Sequence, residues 1–84
     1  MTFTVVYTTF AEYQLAEIWL RASNRDAVRQ AADTLEKVLH RSPQQQGRAG
    51  QKPWRVLLIG CLKFTFEVIA DDCKVVVLSV QQRH

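Results

Sequence analysis

The chain begins with a short stretch in which apolar and polar positions alternate. Phe3, Val5 and Tyr7 fall on one side of an extended chain, and threonines occupy most of the other side. A period of two is typical of a β-strand with one buried face. The strand ends at Thr9, where the letters TFAE fit a capping box with Thr9 as the N-cap of a helix. We therefore predict a strand followed directly by a helix.

From residue 9 to residue 41 the apolar period is that of helices. Ser23 and Asn24 interrupt the pattern and offer the N-cap of a second helix. The second helix has an apolar stripe formed by Val28, Ala31, Leu35, Val38 and Leu39. It ends at Ser42, because the residue before Pro43 is pushed out of helical geometry. We predict an αα-hairpin over residues 9–41 and a loop over residues 42–53, SPQQQGRAGQKP.

After Pro53 the period returns to two in three successive stretches. Short turns at Gly60-Cys61 and Asp71-Asp72 separate them, and short connections join antiparallel neighbours. The predicted order is βααβββ. We expect an α+β fold, a single domain over residues 1–84, in which the αα-hairpin packs on one face of a small, mainly antiparallel sheet.

The last two strands can be placed relative to each other if their apolar positions are buried together. Five residues are then predicted to face the helices: Phe64, Phe66, Val76, Leu78 and Val80. A three-residue turn places Lys63 opposite Gln81 on the other face of the sheet. The same register brings Arg83 opposite Cys61. Arg55 is assigned to the face of Lys63 by the alternation of its own strand, so these three cations are expected to converge.

Charge makes the middle of the chain stand out. The net charge is +3, but residues 37–66 hold six basic residues and no acidic one. They are Lys37, Arg41, Arg48, Lys52, Arg55 and Lys63. Such a local concentration of positive charge attracts a polyanion or an acidic partner.

Other features limit the class of protein. Two cysteines are too few for a disulfide scaffold, and the first residues lack the pattern of a secretory signal. The longest apolar run, residues 56–62, is too short to cross a bilayer. We expect a soluble cytoplasmic protein with no membrane partner, no metal site and no cofactor.

Several short motifs follow one another along almost the whole chain. They are FTVVYT in the first strand, Leu15-x-x-Ile18-Trp19 and Leu39-x-x-x-Pro43 in the helices, and KFTFEV, a DD turn and VLSVQQR in the last hairpin. In this order and spacing the chain resembles the RelE/ParE superfamily of toxins from bacterial type II toxin–antitoxin systems. The resemblance implies the same βααβββ fold and a toxin neutralised by a cognate antitoxin protein. A homodimer is a further possibility.

The resemblance leaves the cellular target open, because RelE-like members cleave mRNA on the ribosome and ParE-like members inhibit DNA gyrase. It implies that Lys63 stands where RelE-like nucleases place an arginine on the scissile phosphate. It also matches Arg83 to the arginine at the end of the last strand. Arg48 and Arg55 fall near positions that hold RNA, and Lys52, in the same acid-free segment, is a further anion-binding candidate.

RNA cleavage requires stabilisation of the phosphorane charge and proton transfer. Lys63 and Arg83 would stabilise the charge, and His84 is the candidate for proton transfer because its imidazole titrates near neutrality. The chain ends at His84 without the segment that carries the catalytic tyrosine of RelE-like enzymes, and Glu67 is the one glutamate left as a base. An mRNA endoribonuclease would thus have an incomplete catalytic set. The alternative is an inactive module of this fold that binds an acidic protein partner or nucleic acid.

Overall fold

The described residues, 2–49 and 53–83 of the computed structural model, form a sheet, a helical hairpin and two 3₁₀ turns. In chain order the elements are β1 (Thr4–Tyr7), α1 (Thr9–Arg21), α2 (Arg25–Arg41), β2 (Arg48–Ala49), β3 (Trp54–Ile59), β4 (Leu62–Ile69) and β5 (Lys74–Gln82). The 3₁₀ turns are Pro43–Gln45 and Ala70–Asp72. The predicted α+β order βααβββ is confirmed, with β2 as an additional strand. The prediction of a structureless loop is wrong where β2 and the first 3₁₀ turn form.

The sheet is mixed, and its strand order is β1-β5-β4-β3-β2. β1 pairs with β5 in parallel, whereas the other neighbours are antiparallel. Antiparallel strands can be joined by short turns, but a parallel pair needs a long crossover, which α1 and α2 provide here. The prediction of a mainly antiparallel sheet is therefore confirmed.

Side chains cap both helices at their N-termini. The N-cap of α1 is Thr8, whose Oγ1 accepts a hydrogen bond from the Ala11 N–H at 3.0 Å. The capping box predicted at Thr9 is therefore wrong by one residue. Asn24 caps α2 in the same way, as predicted. No helix in the described part of the chain has the length and apolar character needed to cross a membrane.

The core lies between the helices and one face of the sheet. The sheet contributes Leu62, Phe64, Phe66, Val75, Val77 and Val80, and α2 contributes Val28, Ala31, Leu35 and Leu39, all buried. Each such side chain stabilises the fold by roughly 1.5 to 3 kcal/mol when fully buried, except the smaller alanine. The stripe predicted on the second helix is confirmed as the helical half of this core.

The first part of β5 faces differently from the prediction. Val76 and Leu78 are only half-buried, and Val75 and Val77 take the core positions instead. The turn between β4 and β5 has four residues, 70–73, and the prediction of a three-residue turn is wrong; a β-bulge, in which Leu78 is an extra residue without a partner in the register with β4, restores the predicted pairing beyond it. One extra residue moves every side chain beyond it to the opposite face. The prediction therefore holds for Val80 and fails for Val76 and Leu78.

Side chains of the α1 region hold the backbone at this bulge. The Thr8 Oγ1 donates to the Leu78 carbonyl at 3.4 Å, and the Val80 N–H donates to Gln14 Oε1 at 2.8 Å. Because β1 ends at Tyr7, which pairs with Val77, β5 beyond Val77 has no strand on the side opposite β4. Thr8 and Gln14 replace the missing strand and satisfy backbone groups that would otherwise be unpaired.

Candidate nucleic-acid interface

The predicted site lies on the open face, by which we mean the face of the sheet that points away from α1 and α2. Cross-strand partners share a face, so the register assigns the residues of this surface. Lys63 pairs with Leu58 on β3 and with Gln81 on β5, and all three are exposed. Leu62 and Phe64, on either side of Lys63, are fully buried. The predicted placement of Lys63 opposite Gln81 is confirmed.

Arg83 follows β5 directly and lies opposite Cys61, as predicted. The Arg83 N–H donates to the Cys61 carbonyl at 2.8 Å, and its Nη1 donates to the Gly60 carbonyl at 3.1 Å. The second bond holds the exposed guanidinium against the turn between β3 and β4. A guanidinium has five N–H donors, and this bond uses one of them. Lys63 and Arg83 thus lie at the same end of the open face.

Arg48 was expected in a loop, but it belongs to β2 and lies on the same face. It pairs with Val56, which is two residues from Leu58 and therefore on the open face. Arg48 and Lys63 line one shallow groove of about 450 Å³. Strand spacing places the Cα of Lys63 roughly 8 Å from that of Arg83 and roughly 12 Å from that of Arg48. We call the exposed residues Arg48, Lys63 and Arg83 the basic corner.

The described residues around the basic corner do not neutralise its charge. The side-chain ion pairs in the described part of the chain lie within α1 and within α2. Glu67, the acid on the open face of β4, pairs with Trp54 and is four residues from Lys63, roughly 13 Å along the strand. Glu67 is therefore not beside Lys63, where a catalytic base would be needed.

Arg55 does not join the basic corner, so that prediction is wrong. It pairs with Phe66, which is fully buried on the helix side of the sheet. The turn between β3 and β4 consists of Gly60 and Cys61, and a turn of this length pairs odd-numbered positions of β3 with even-numbered positions of β4. The alternation of β3 alone therefore assigned Arg55 to the wrong face relative to Lys63.

Arg55 instead holds the segment that leads into β2. Its Nε donates to the Gln46 carbonyl at 2.8 Å, and its Nη2 donates to the Gly47 carbonyl at 3.2 Å. Gly47 has a φ of 73°, and a Cβ at this position would lie 2.4 Å from the Val56 carbonyl oxygen. A residue with a side chain would be strained there. These contacts fix the backbone immediately before Arg48.

Two of the predicted site residues, Lys52 and His84, lie outside the described residues. Within residues 2–49 and 53–83, no three or more histidine, cysteine, aspartate or glutamate side chains form a group that could hold a metal ion. The described part of the site therefore consists of charged hydrogen-bond donors on an open sheet. Such a surface is suited to bind an anion.

An apolar strip runs along β3 beside the basic corner. It consists of Trp54, Val56 and Leu58, and the exposed fractions of Trp54 and Leu58 are 43% and 49%. The alternation of β3 already placed these three residues on one side of the strand. The prediction that Arg55 lies on the face of Lys63 put these three residues on the helix-facing side, and for that reason sequence reasoning did not assign the strip to the site.

A second surface is an apolar cleft of about 500 Å³ between α1 and α2. Its lining includes Tyr7, Leu15, Trp19, Leu20 and Val28, with Glu12, Arg29 and Asp33 as charged members. The hydroxyl of Tyr7 is buried and has no hydrogen-bond partner among the described residues. Burial, followed by the charges of Glu36 and Asp33, raises the pKa of Tyr7 to about 12.

Comparison with known proteins was made at three levels. A scan against protein-family models and a search of curated proteins gave no match. A chain of the RelBE2 toxin–antitoxin complex from Mycobacterium tuberculosis is 19% identical and has a TM-score of 0.81; the match covers 99% of this chain and 93% of that one. For a chain of the chromosomal ParDE system from P. aeruginosa the identity is 17%, the TM-score 0.73 and the coverage 99% and 98%. The isolated E. coli RelE toxin is 20% identical and has a TM-score of 0.66, and the match covers 98% of this chain and 85% of that one.

These matches cover nearly the whole of this chain and most of each matched chain. The protein has the fold of the RelE and ParE toxins, which confirms the resemblance found in the sequence. At this level of identity the likeness concerns the fold, and the function is argued below from the surface of this chain.

Proposed function

We propose that this protein is the toxin of a type II toxin–antitoxin system and that it acts on RNA through the basic corner. The observation that carries the proposal is the row of exposed cations on the open face, in which Lys63 lies between Arg83 and Arg48. Clustered arginine and lysine side chains are the groups that bind phosphate oxygens through charge-assisted hydrogen bonds. The likeness to toxins in solved toxin–antitoxin complexes supports the assignment.

In the proposed reaction the 2′-hydroxyl oxygen of a ribose loses its proton and attacks the adjacent phosphorus, the P–O5′ bond breaks, and the leaving 5′-oxygen takes up a proton, which leaves a 2′,3′-cyclic phosphate and a 5′-hydroxyl. Lys63 and Arg83 would stabilise the negative charge that develops on the phosphorane oxygens. Arg83 is suited to this role because its bond to the Gly60 carbonyl orients the guanidinium before substrate binds. For proton transfer we propose His84, which follows Arg83 in the chain and carries an imidazole, the group most often used in general acid–base catalysis. Arg48 would hold the phosphate backbone at the edge of the groove.

We also propose that a cognate antitoxin covers the cleft between α1 and α2. The cleft is apolar and of a size that several side chains of a partner segment would fill. Leu20, 60% exposed, and Trp19, 42% exposed, extend the apolar lining of the cleft to the surface, and a contiguous exposed apolar patch is typical of a protein–protein interface. Leu20→Lys should therefore leave toxicity unchanged and weaken neutralisation by the antitoxin. Unchanged neutralisation would place the antitoxin elsewhere.

Expression in growing cells, followed by cell-free translation, tests the proposed function. Expression should arrest growth, co-expression of the small protein encoded beside it should restore growth, and added protein should inhibit translation with cleavage of the message. The double variant Lys63→Ala, Arg83→Ala should lose these effects and keep the wild-type melting temperature. Lys37→Ala, an exposed cation on α2, is the matched control. Normal translation together with blocked gyrase supercoiling would move the target to gyrase.

A second candidate is a binding module of the same fold without cleavage activity. It is favoured by the position of Glu67, which is far along β4 from Lys63, so that the described residues place no acid or base in the basic corner. General acid–base groups contribute roughly 10² to 10⁴ each to a rate. This candidate predicts binding of RNA or an acidic protein that weakens steeply with salt, no cleavage, and no growth arrest.

A further inference from the structure

We propose that the open face takes an unpaired RNA strand and that Trp54 is the residue on which a base stacks. This inference rests on the proposed function, and it names the form of the RNA and the residue that selects it. The apolar strip and the basic corner share one face, so both contribute to one binding surface. An unpaired strand presents its bases as well as its phosphates, whereas a duplex presents mainly phosphates and groove edges.

The strand register places the two kinds of contact side by side. Val56, in the middle of the strip, pairs with Arg48 on β2 and with Thr65 on β4. Thr65 is two residues from Lys63 and lies on the same face. Trp54 is two residues from Val56 on β3, which makes Trp54 a diagonal neighbour of Arg48 on β2. Diagonal neighbours on adjacent strands are close enough for long and aromatic side chains to touch. Arg48 is therefore the cation beside the Trp54 ring, and an exposed aromatic ring at the side of a positively charged groove is a usual feature of surfaces that bind single strands.

The charges on this face also indicate the path that the RNA backbone takes across the sheet. Glu67 pairs with Trp54 and would repel a phosphate placed next to the indole on the β4 side. Arg48 lies on β2, on the other side of β3 from Glu67. Lys63 lies on β4 beside Leu58, at the end of the strip away from Trp54. The phosphates are therefore expected to follow Arg48 and Lys63, with a base turned towards Trp54. Leu58, 49% exposed between the two cations, offers an apolar contact for a neighbouring base.

The other tryptophan provides a matched control. Trp19 has nearly the same exposed fraction, 42% against 43%, but lies on α1, where its ring contacts the Arg25 guanidinium at 4.5 Å. Trp19 is therefore equally accessible and far from the basic corner in the fold. The chain contains two tryptophans, so Trp19→Phe leaves Trp54 as the single fluorescent indole.

The experiment measures binding of a labelled ten-nucleotide pyrimidine RNA and of a ten-base-pair RNA duplex by fluorescence anisotropy at low salt. We expect Trp54→Ala to weaken binding of the single strand about ten-fold or more, since stacking on an aromatic side chain contributes on that scale. Trp54→Phe should retain most of the affinity, and Trp19→Ala should bind like the wild type. In Trp19→Phe, the single strand should quench the remaining indole fluorescence. Melting curves of each variant confirm that the fold is intact.

The possible failures have different meanings. If Trp54→Ala binds like the wild type while Lys63→Ala does not, or if the duplex binds as tightly as the single strand, the stacking inference is overturned and the proposed function stands. If messages are cut during translation but the free single strand does not bind, the stacking inference is again overturned and the proposed function stands. If neither RNA binds and translation is normal, the proposed function fails as well.

Discussion

Replacing Arg55 by methionine tests whether this residue holds the segment before the basic corner. The change removes two hydrogen bonds from a charged donor, at 2.8 Å to the Gln46 carbonyl and at 3.2 Å to the Gly47 carbonyl. Such bonds contribute about 1.5 to 3 kcal/mol each when buried. Because Arg55 is only half-buried and the second bond is long, we expect the free energy of unfolding to fall by about 2 to 3 kcal/mol. For a domain of this size the melting temperature should fall by roughly 10 to 20 °C.

Arg55→Lys separates this structural role from direct contact with RNA. Lysine keeps the charge but cannot reproduce the two-pronged geometry of the guanidinium. If Arg55 holds the backbone, Arg55→Lys should lose much of the same stability, as measured by thermal and urea unfolding followed by circular dichroism. Lys63→Ala is the control, because an exposed side chain without such bonds should change stability by less than about 0.5 kcal/mol. Wild-type melting of Arg55→Met combined with weakened RNA binding would refute the structural role.

Two further predictions concern other parts of the fold. Gly47→Ala should destabilise the protein by about 2 kcal/mol or more, because its Cβ would lie 2.4 Å from a carbonyl oxygen. The Cβ of Gly60→Ala would meet nothing closer than 3.8 Å, so this variant should cost only about 1 kcal/mol for its positive φ. Equal urea midpoints of the two variants would contradict this reasoning. The raised pKa of Tyr7 means that the folded state holds the phenol proton more tightly than the unfolded state, so this contribution to stability is lost as the pH rises from 10.0 to about 12. Tyr7→Phe should remove that part of the loss and be at least as stable as the wild type below pH 10, since the hydroxyl it removes is buried without a hydrogen-bond partner in residues 2–49 and 53–83. Tyr13→Phe, at an exposed position, should keep the wild-type pH profile of unfolding.

Much of the site follows from local sequence. Lys63 could be assigned to the open face because Leu62 and Phe64 flank it, and a strand that buries one face must present every second residue on the other. Arg83 could be placed near it because burial of Phe64 and Val80 on one face, together with an assumed three-residue turn, selects the register that pairs Lys63 with Gln81. The prediction held at this end of the hairpin because the turn is one residue longer than the three residues assumed, and the extra residue at the bulge offsets that difference before Lys63 is reached.

The same reasoning failed wherever the relation between two strands depended on the turn joining them. For Arg55 the missing step was the length of the Gly60-Cys61 turn, which reverses the relation between odd and even positions across the hairpin. This could have been found in the sequence, since the two residues were already recognised as the turn. The bulge at Leu78 could not, because it depends on Thr8 and Gln14, which are distant in sequence and satisfy its backbone.

By itself, the sequence determined the type and order of the elements, the apolar stripe of α2 and the exposure of Lys63. Each of these is a local property, since the period of apolar residues directly reflects which face of an element is buried. Only the tertiary structure brought Arg48 beside Lys63, placed Thr8 and Gln14 against the bulge of β5, and left Trp54 and Leu58 exposed on the sheet. These outcomes depend on hydrogen-bond register and on which layers cover the sheet, and both are set by contacts between residues far apart in the chain.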